Sequence, residues 1–190
     1  TVTFTGVTGG MSRLNVNSGQ LASSGTFLID SGFGWTGGTI GGGTGAVRVT
    51  PTATGTISGT GLKILDSGTL AIDSTAGVTW SNGNMEAVGG GILEIGGLLT
   101  SAHNNSAGFD LAAGGSATGA EAVNIVSGGT FERNGAFDLT LGIALNNDGR
   151  TLMTSGSLSA ANGGTSGGSF DVNGSSGIFN FAGGAHTLLD

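Results

Sequence analysis

Short stretches of alternating apolar and polar residues recur along the whole chain. The stretches 1–5, 69–73 and 78–80 are examples. An alternation with period two predicts a strand with one buried face, and the Gly, Asn, Ser and Asp residues between the stretches predict tight turns. No stretch has a convincing helical period, because the nearest candidate, 111–123, is broken by three glycines, each unfavourable in a helix. The pattern predicts about twenty short strands.

One unit of this pattern is repeated. Trp35, Trp80 and Met153 are each followed five positions later by another large apolar residue, which is Ile40, Met85 or Leu158. An antiparallel sandwich or barrel also fits many short strands. Even spacing, abundant glycine corners and the repeated unit favour a β-solenoid. We predict an all-β, single-domain β-solenoid (residues 1–190), parallel β-helix-like, with roughly seven to nine coils of about 22 to 25 residues and Gly/Asn-rich corners. We expect a processed chain or a segment of a longer protein.

In a solenoid, alternate residues point into a continuous core, while corner amides stack on one another. The predicted core residues are Phe27, Ile29, Val78, Trp80, Ile92, Leu93, Ile95, Val123, Ile125, Phe131, Phe137, Leu139, Leu141 and Phe170. The predicted corner ladders contain Asn104, Asn105, Asn146 and Asn147.

Amino-acid composition and charge exclude several kinds of binding site and partner. The 190 residues include 42 Gly and no Cys, so disulfides and thiolate metal sites are excluded. The formal net charge is −7, and the five Lys and Arg residues are scattered, so we expect no nucleic-acid partner. No apolar run is long enough to span a membrane as a helix.

Three stretches carry a resemblance to a known class of proteins. They are Trp-Thr-Gly-Gly-Thr-Ile-Gly-Gly-Gly at 35–43, Ser-Gly-Thr-Leu-Ala-Ile at 67–72 and Leu-Asn-Asn-Asp-Gly-Arg-Thr-Leu at 145–152. They resemble the degenerate repeats of bacterial secreted β-solenoid proteins, the autotransporter passengers and filamentous-haemagglutinin-like exoproteins. The resemblance covers most of the chain. It implies an extracellular or cell-surface location and an adhesive or scaffolding role.

Catalytic chemistry has weak support in the sequence. The twelve acids contain no Asp-Asp pair, and Asp30, Asp73 and Asp171 lie near strand ends, where capping and solvation are their ordinary roles. A carboxylate pair formed by stacking across coils stays open. We interpret His103 and His186 as surface residues, and the Gly-Asp spacing in 163–171 does not match a calcium repeat. We therefore expect no enzymatic activity, cofactor or metal.

Two alternatives to a structural and adhesive role are retained. The first is a carbohydrate-binding or carbohydrate-active β-helix, with a surface polysaccharide as partner, which an exposed Trp35 or Trp80 beside ordered acids would favour. The second and weaker one is an ice-binding surface, suggested by the alternating threonines of 50–56. Buried tryptophans and dispersed acids would favour the scaffold.

The terminal stretches are the predicted contact sites. They are alternating or apolar and lack the charges and prolines that block strand edges. We expect head-to-tail self-association, as in a filament, surface layer or adhesin rod. The predicted assembly residues are Thr1, Val2, Thr3, Phe4 and Thr5 at one end, and Ile178, Phe179, Asn180 and Phe181 at the other.

Overall fold

The computed structural model of the protein describes residues 2–4, 9–103 and 109–190, which form strands and turns and no helix. The strands in chain order are β1 (Val2–Phe4), β2 (Gly9–Val16), β3 (Gln20–Ser23), β4 (Thr26–Trp35), β5 (Gly38–Gly41), β6 (Ala46–Val49), β7 (Thr54–Ile57), β8 (Lys63–Asp66), β9 (Thr69–Ile72), β10 (Val78–Trp80), β11 (Met85–Val88), β12 (Ile92–Ile95), β13 (Leu98–Ser101), β14 (Phe109–Ala113), β15 (Ala122–Ile125), β16 (Thr130–Leu141), β17 (Ala144–Asn147), β18 (Arg150–Ala160), β19 (Gly164–Ser166), β20 (Ser169–Val172), β21 (Ile178–Phe181) and β22 (His186–Leu188).

The strands wind into a parallel β-solenoid of about eight turns, as predicted. The strand pairing divides it into three sheet faces. Sheet A contains β1, β3, β5, β8, β11, β14, the second halves of β16 and β18, and β21. Sheet B contains the first halves of β2 and β4, then β6, β9, β12, β15, β17, β19 and β22. Sheet C contains the second halves of β2 and β4, then β7, β10, β13, the first halves of β16 and β18, and β20.

The length of a turn varies more than the predicted 22 to 25 residues. Leu21 pairs with Ile40, 19 residues later, whereas Leu111 pairs with Leu141, 30 residues later. The strands keep their register, so the corners absorb the difference. The long turn includes the segment 114–121, where the Glu121 carboxylate accepts hydrogen bonds from the backbone N–H groups of Gly90, Thr118 and Gly119 at 2.8 Å.

The register explains the repeated unit found in the sequence. Trp35 and Trp80 both pair with Ile57, and Met153 lies in the same inward column of sheet C, one turn after Arg133. Both tryptophans are fully buried, which confirms them as core residues. The large apolar residues five positions later, Ile40, Met85 and Leu158, do not share a column. Met85 pairs with Lys63, which pairs with Gly38 and not with Ile40.

Most predicted core residues are buried, and the exceptions have physical causes. Phe170 is partly buried because it lies in the last turn of sheet C. The prediction for Ile92 was wrong, because the alternation of β12 turns Leu93 and Ile95 inward and Ile92 outward. The prediction for Phe137 was wrong, because its side chain is 39% exposed where β16 bends from sheet C to sheet A.

The predicted amide ladders form in part. Asn146 donates to Asn124 Oδ1 at 2.9 Å on the outer face of sheet B, whereas Asn147 is fully buried and donates to the Ser169 carbonyl. Asn104 and Asn105 lie outside the described residues. The Asn124–Asn146 contact therefore joins successive strands of sheet B, and it does not lie at the corner predicted for Asn146 and Asn147.

Candidate assembly interface

The first end of the solenoid opens onto its apolar interior. Strand β1 pairs with β3, and no other described strand covers its second edge. Val2 is 57% exposed and lines a cavity of about 230 Å³ together with Met11, Leu14, Val16 and Leu21. Three polar residues, Asn15, Ser18 and Gln20, complete its lining. This end therefore presents an unpaired strand edge beside a mainly apolar depression.

The last end presents strand edges in the same way. Strands β20 and β21 pair with the two halves of β18, and β22 pairs with β19, while no described strand lies beyond them. Several large apolar side chains are exposed there, and they include Val172, Ile178, Phe181, Leu188 and Leu189.

An aromatic cluster fills the interior of the last end. The ring centroid of Phe179 lies 4.6 Å from that of Phe170 and 4.9 Å from that of Phe181, and the Phe170 and Phe181 centroids are 5.4 Å apart. His186 closes the cluster, 4.5 Å from Phe181, while its Nε2 lies 2.8 Å from the Gly183 carbonyl. Because Phe170 and Phe179 also pack against the core, the cluster is anchored on one side and exposed on the other.

The two predicted contact stretches lie in one sheet. Strand β1 is the first strand of sheet A and β21 is the last, at opposite ends of the solenoid. The structure thus places Val2 and the stretch 178–181 on two edges of the same face that no strand of residues 2–4, 9–103 and 109–190 pairs. Of the predicted assembly residues, Thr1 and Thr5 lie outside the described residues, and Thr3 and Phe4 are described by their backbone.

The outer face of sheet B differs from the ends because its polar groups bind one another. Arg48 donates to Asp73 and, at 3.2 Å, to Glu94 on the next two turns. Hydrogen bonding to Asp73 raises the pKa of Arg48, with the charge of Glu94 adding to this effect. On later turns Asn146 accepts from the Thr165 hydroxyl at 3.3 Å. The named charged and amide groups of this lateral face are therefore engaged with one another.

The corner between sheets C and A is stabilised from inside by buried donors. Trp80 Nε1 donates to the Gly83 carbonyl at 3.0 Å, and Trp35 Nε1 donates to the Gly38 carbonyl at 3.3 Å. Between them, Lys63 Nζ donates to the carbonyls of Gly59 and Gly61 at 3.1 and 2.9 Å. Gly83 has a φ of 78°, and a Cβ there would collide with Lys63, so this corner requires glycine.

The same corner contains Arg133 in its later turns. The fully buried guanidinium donates to the carbonyls of Ser101 at 2.9 Å, Ser157 at 3.4 Å and Phe137. Burial lowers the pKa of Arg133, although the charge of Asp138 opposes this effect. Burial also lowers the pKa of Lys63 to about 8. These interior cations were not predicted from the sequence, because charged residues are normally exposed.

The prediction that His103 lies on the surface was wrong. The imidazole is fully buried, with its centroid 4.7 Å from that of Trp80 and its Nδ1 3.0 Å from Ser101 Oγ. Burial lowers the pKa of His103 to about 4, helped by the charges of Arg133 and Lys63. The sequence contains a signal for this placement, since Leu99, Ser101 and His103 continue the inward alternation of β13 beyond its end.

Stacking of the turns brings some acidic side chains close together, but each of these acids binds an arginine. Asp73 and Glu94 share Arg48, and Asp171 binds Arg150 Nε at 2.6 Å. The role predicted for Asp73 and Asp171 is thus corrected from turn capping to ion pairing. Among the described residues, no group of three His, Asp or Glu side chains could hold a metal ion. The described part of the chain also contains no helix long and apolar enough to cross a membrane.

Comparison with known proteins gives no relative. No protein-family model, no curated protein and no solved structure matches this chain. The fold is therefore established by the strand pairing, and the resemblance to bacterial secreted β-solenoid proteins rests on residue pattern alone.

Proposed function

We propose that this protein is a structural rod element that associates end to end with further copies of itself. The observation that carries the proposal is the position of β1 and β21, which are the outermost described strands of one sheet and whose outer edges pair with no described strand. Contact between β21 of one copy and β1 of the next would continue sheet A across the junction. A head-to-tail contact of this kind produces a filament.

Physical chemistry supports association at the ends more than at the sides. An unpaired strand edge exposes N–H and C=O groups that a further strand satisfies, as in strand addition. The exposed aromatic cluster at the last end and the apolar depression at the first end add hydrophobic area to the same contacts. By contrast, the side face of sheet B carries paired charges and amides.

An extracellular or cell-surface location and an adhesive use of the rod form part of this proposal. Their support is the resemblance of residues 35–43, 67–72 and 145–152 to repeats of secreted bacterial solenoids. The expectation that the protein lacks enzymatic activity stays a prediction.

Sedimentation of variants with a charge at either end tests the association. We expect the protein to form linear oligomers, and Val2→Lys or Phe181→Lys to weaken association by about tenfold or more, because each buries an unpaired charge in the contact. Val126→Lys is the matched control, since Val126 is an exposed apolar residue beside the middle of sheet B. A protein that stays monomeric at all soluble concentrations would contradict the proposal, as would equal association by all three variants.

A further inference from the structure

The outer face of sheet C carries a groove over its first four turns. Its volume is about 380 Å³, and Arg13, Asn15, Thr54, Thr56 and Thr79 supply its side-chain polar groups. These residues project from β2, β7 and β10, so the groove runs along the axis of the solenoid for about 14 Å, or three strand spacings.

Glycines make this part of the face concave. Gly32 and Gly34 of β4 lie between the first and third turns, in register with Arg13 and Asn15. The Arg13 and Asn15 side chains lie close over these two glycines, since a Cβ at Gly32 would be 3.0 Å from Arg13 Nε and one at Gly34 would collide with Asn15. The guanidinium and the amide therefore lie along the floor of the groove.

Within the described part of the chain, the side-chain polar groups of the groove have no partner. The side chains of Arg13, Asn15, Thr54, Thr56 and Thr79 make no hydrogen bond or ion pair with any other described residue. A row of such groups in one concave surface is the arrangement expected of a site that binds a polar ligand.

Later turns of the same face provide an internal comparison. A second groove, of about 390 Å³, includes Glu132 and Arg150. Its charged groups are already engaged, because Glu132 accepts from the Thr100 hydroxyl at 3.0 Å and Arg150 binds Asp171. The charged groups of the second groove are thus engaged with described residues, whereas Arg13 in the first groove is not.

From these observations we infer that the first groove binds an extended, carboxylated glycan chain. The three threonine hydroxyls and the Asn15 amide match a ligand rich in hydroxyl groups, and the Arg13 and Asn15 side chains lie low over Gly32 and Gly34, which leaves space for a chain above them. Arg13 favours a negatively charged ligand, because a guanidinium binds a carboxylate through paired hydrogen bonds. No acidic residue lines the groove. A concave floor fits a chain better than the flat lattice of ice. This inference is independent of the end-to-end association.

Titration calorimetry with trigalacturonate as the acidic probe and maltotriose as the neutral one tests the inference. We expect trigalacturonate to bind and maltotriose to bind more weakly. Arg13→Gln should weaken trigalacturonate binding by about tenfold, the usual effect of losing a charge-assisted hydrogen bond, and Arg13→Lys should retain part of it. The triple variant Thr54→Val, Thr56→Val, Thr79→Val keeps the β-branched shape and should lose binding further.

Thr69→Val, on the outer face of sheet B, is the matched control and should bind normally. Unfolding midpoints of all variants are compared first, so that a folding defect is separated from a binding defect. The inference is overturned if trigalacturonate does not bind at millimolar concentration, or if the Arg13 variants bind both probes as the parent does. Thermal hysteresis that depends on the three threonines, without sugar binding, would assign the face to ice and also overturn it.

Discussion

Arg133 and Arg48 show how the same side chain has opposite roles inside and outside a solenoid. Arg133 is fully buried and donates to carbonyls of three successive turns. Arg48 lies on the outer face of sheet B, with 36% of its side chain exposed, and binds carboxylates of the two following turns. Both residues connect neighbouring turns, but their acceptors and their access to water differ.

The difference follows from what water can replace. If Arg48 is lost, water solvates Asp73 and Glu94, so little free energy of unfolding is lost. If Arg133 is lost, buried carbonyls have no substitute donor, and each unsatisfied group carries a full desolvation penalty. Interior donors at the corner between sheets C and A should therefore contribute far more to stability than the outer ion pairs do.

The largest expected effect is that of Arg133→Met. This substitution keeps the apolar stem and removes the donors, so we expect the free energy of unfolding to fall by about 3 to 5 kcal/mol. Urea denaturation measures the change. Arg133→Lys keeps the charge with fewer donors, so its free energy of unfolding should lie between those of Arg133→Met and the parent. A methionine variant as stable as the parent would show that the buried guanidinium does not stabilise the corner.

The second effect depends on pH and concerns His103. Its folded-state pKa of about 4 is below the ordinary 6.5, so the unfolded chain binds the proton more readily between these values. Stability is therefore fully present above pH 6.5 and decreases as the pH falls toward 4, by about 2 to 3 kcal/mol for this group.

Denaturant titrations at pH 6.5 and 4.5 measure most of this change. His103→Gln is the control, because it keeps a polar side chain without a titrating ring. The difference in stability between the two pH values should be smaller in the variant. An identical pH dependence in both proteins would assign the acid sensitivity to other groups.

The smallest effect is expected for Arg48→Gln on the exposed face. We expect a loss of no more than about 1 kcal/mol, and the difference from the parent should shrink as salt is added, because salt screens exposed charges. Thermal unfolding at low and high ionic strength measures both. A loss as large as that of Arg133→Met would contradict the distinction between inner and outer arginines.

Much of the fold could be predicted because strand alternation is a local property. Trp35, Trp80 and Met153 were matched by sequence alone and share one column in the structure. Phe137 was misassigned because the alternation is interrupted where β16 turns its corner. The donors Lys63 and Arg133 could not be placed, since their acceptors are backbone carbonyls, which any sequence contains.

The candidate contact strands were predictable for a similar reason, because an uncharged alternating stretch is visible in the sequence. That β1 and β21 lie in the same sheet was not predictable. The corners vary in length, so the number of residues between two distant strands does not show whether they belong to the same sheet. The groove was also missed, because it depends on the register of Gly32 and Gly34 with Arg13 and Asn15.

The regular pairing of each strand with the next turn has a consequence for how the chain folds. Leu21 meets Ile40, and Ala160 meets Phe181, so most chain closures span about twenty residues wherever they occur. Each completed turn provides the strand edge on which the following turn forms. No contact requires the opposite terminus to fold first. Folding can therefore spread along the rod like a zipper from any turn that forms first, in contrast to sandwiches, where distant strands must meet.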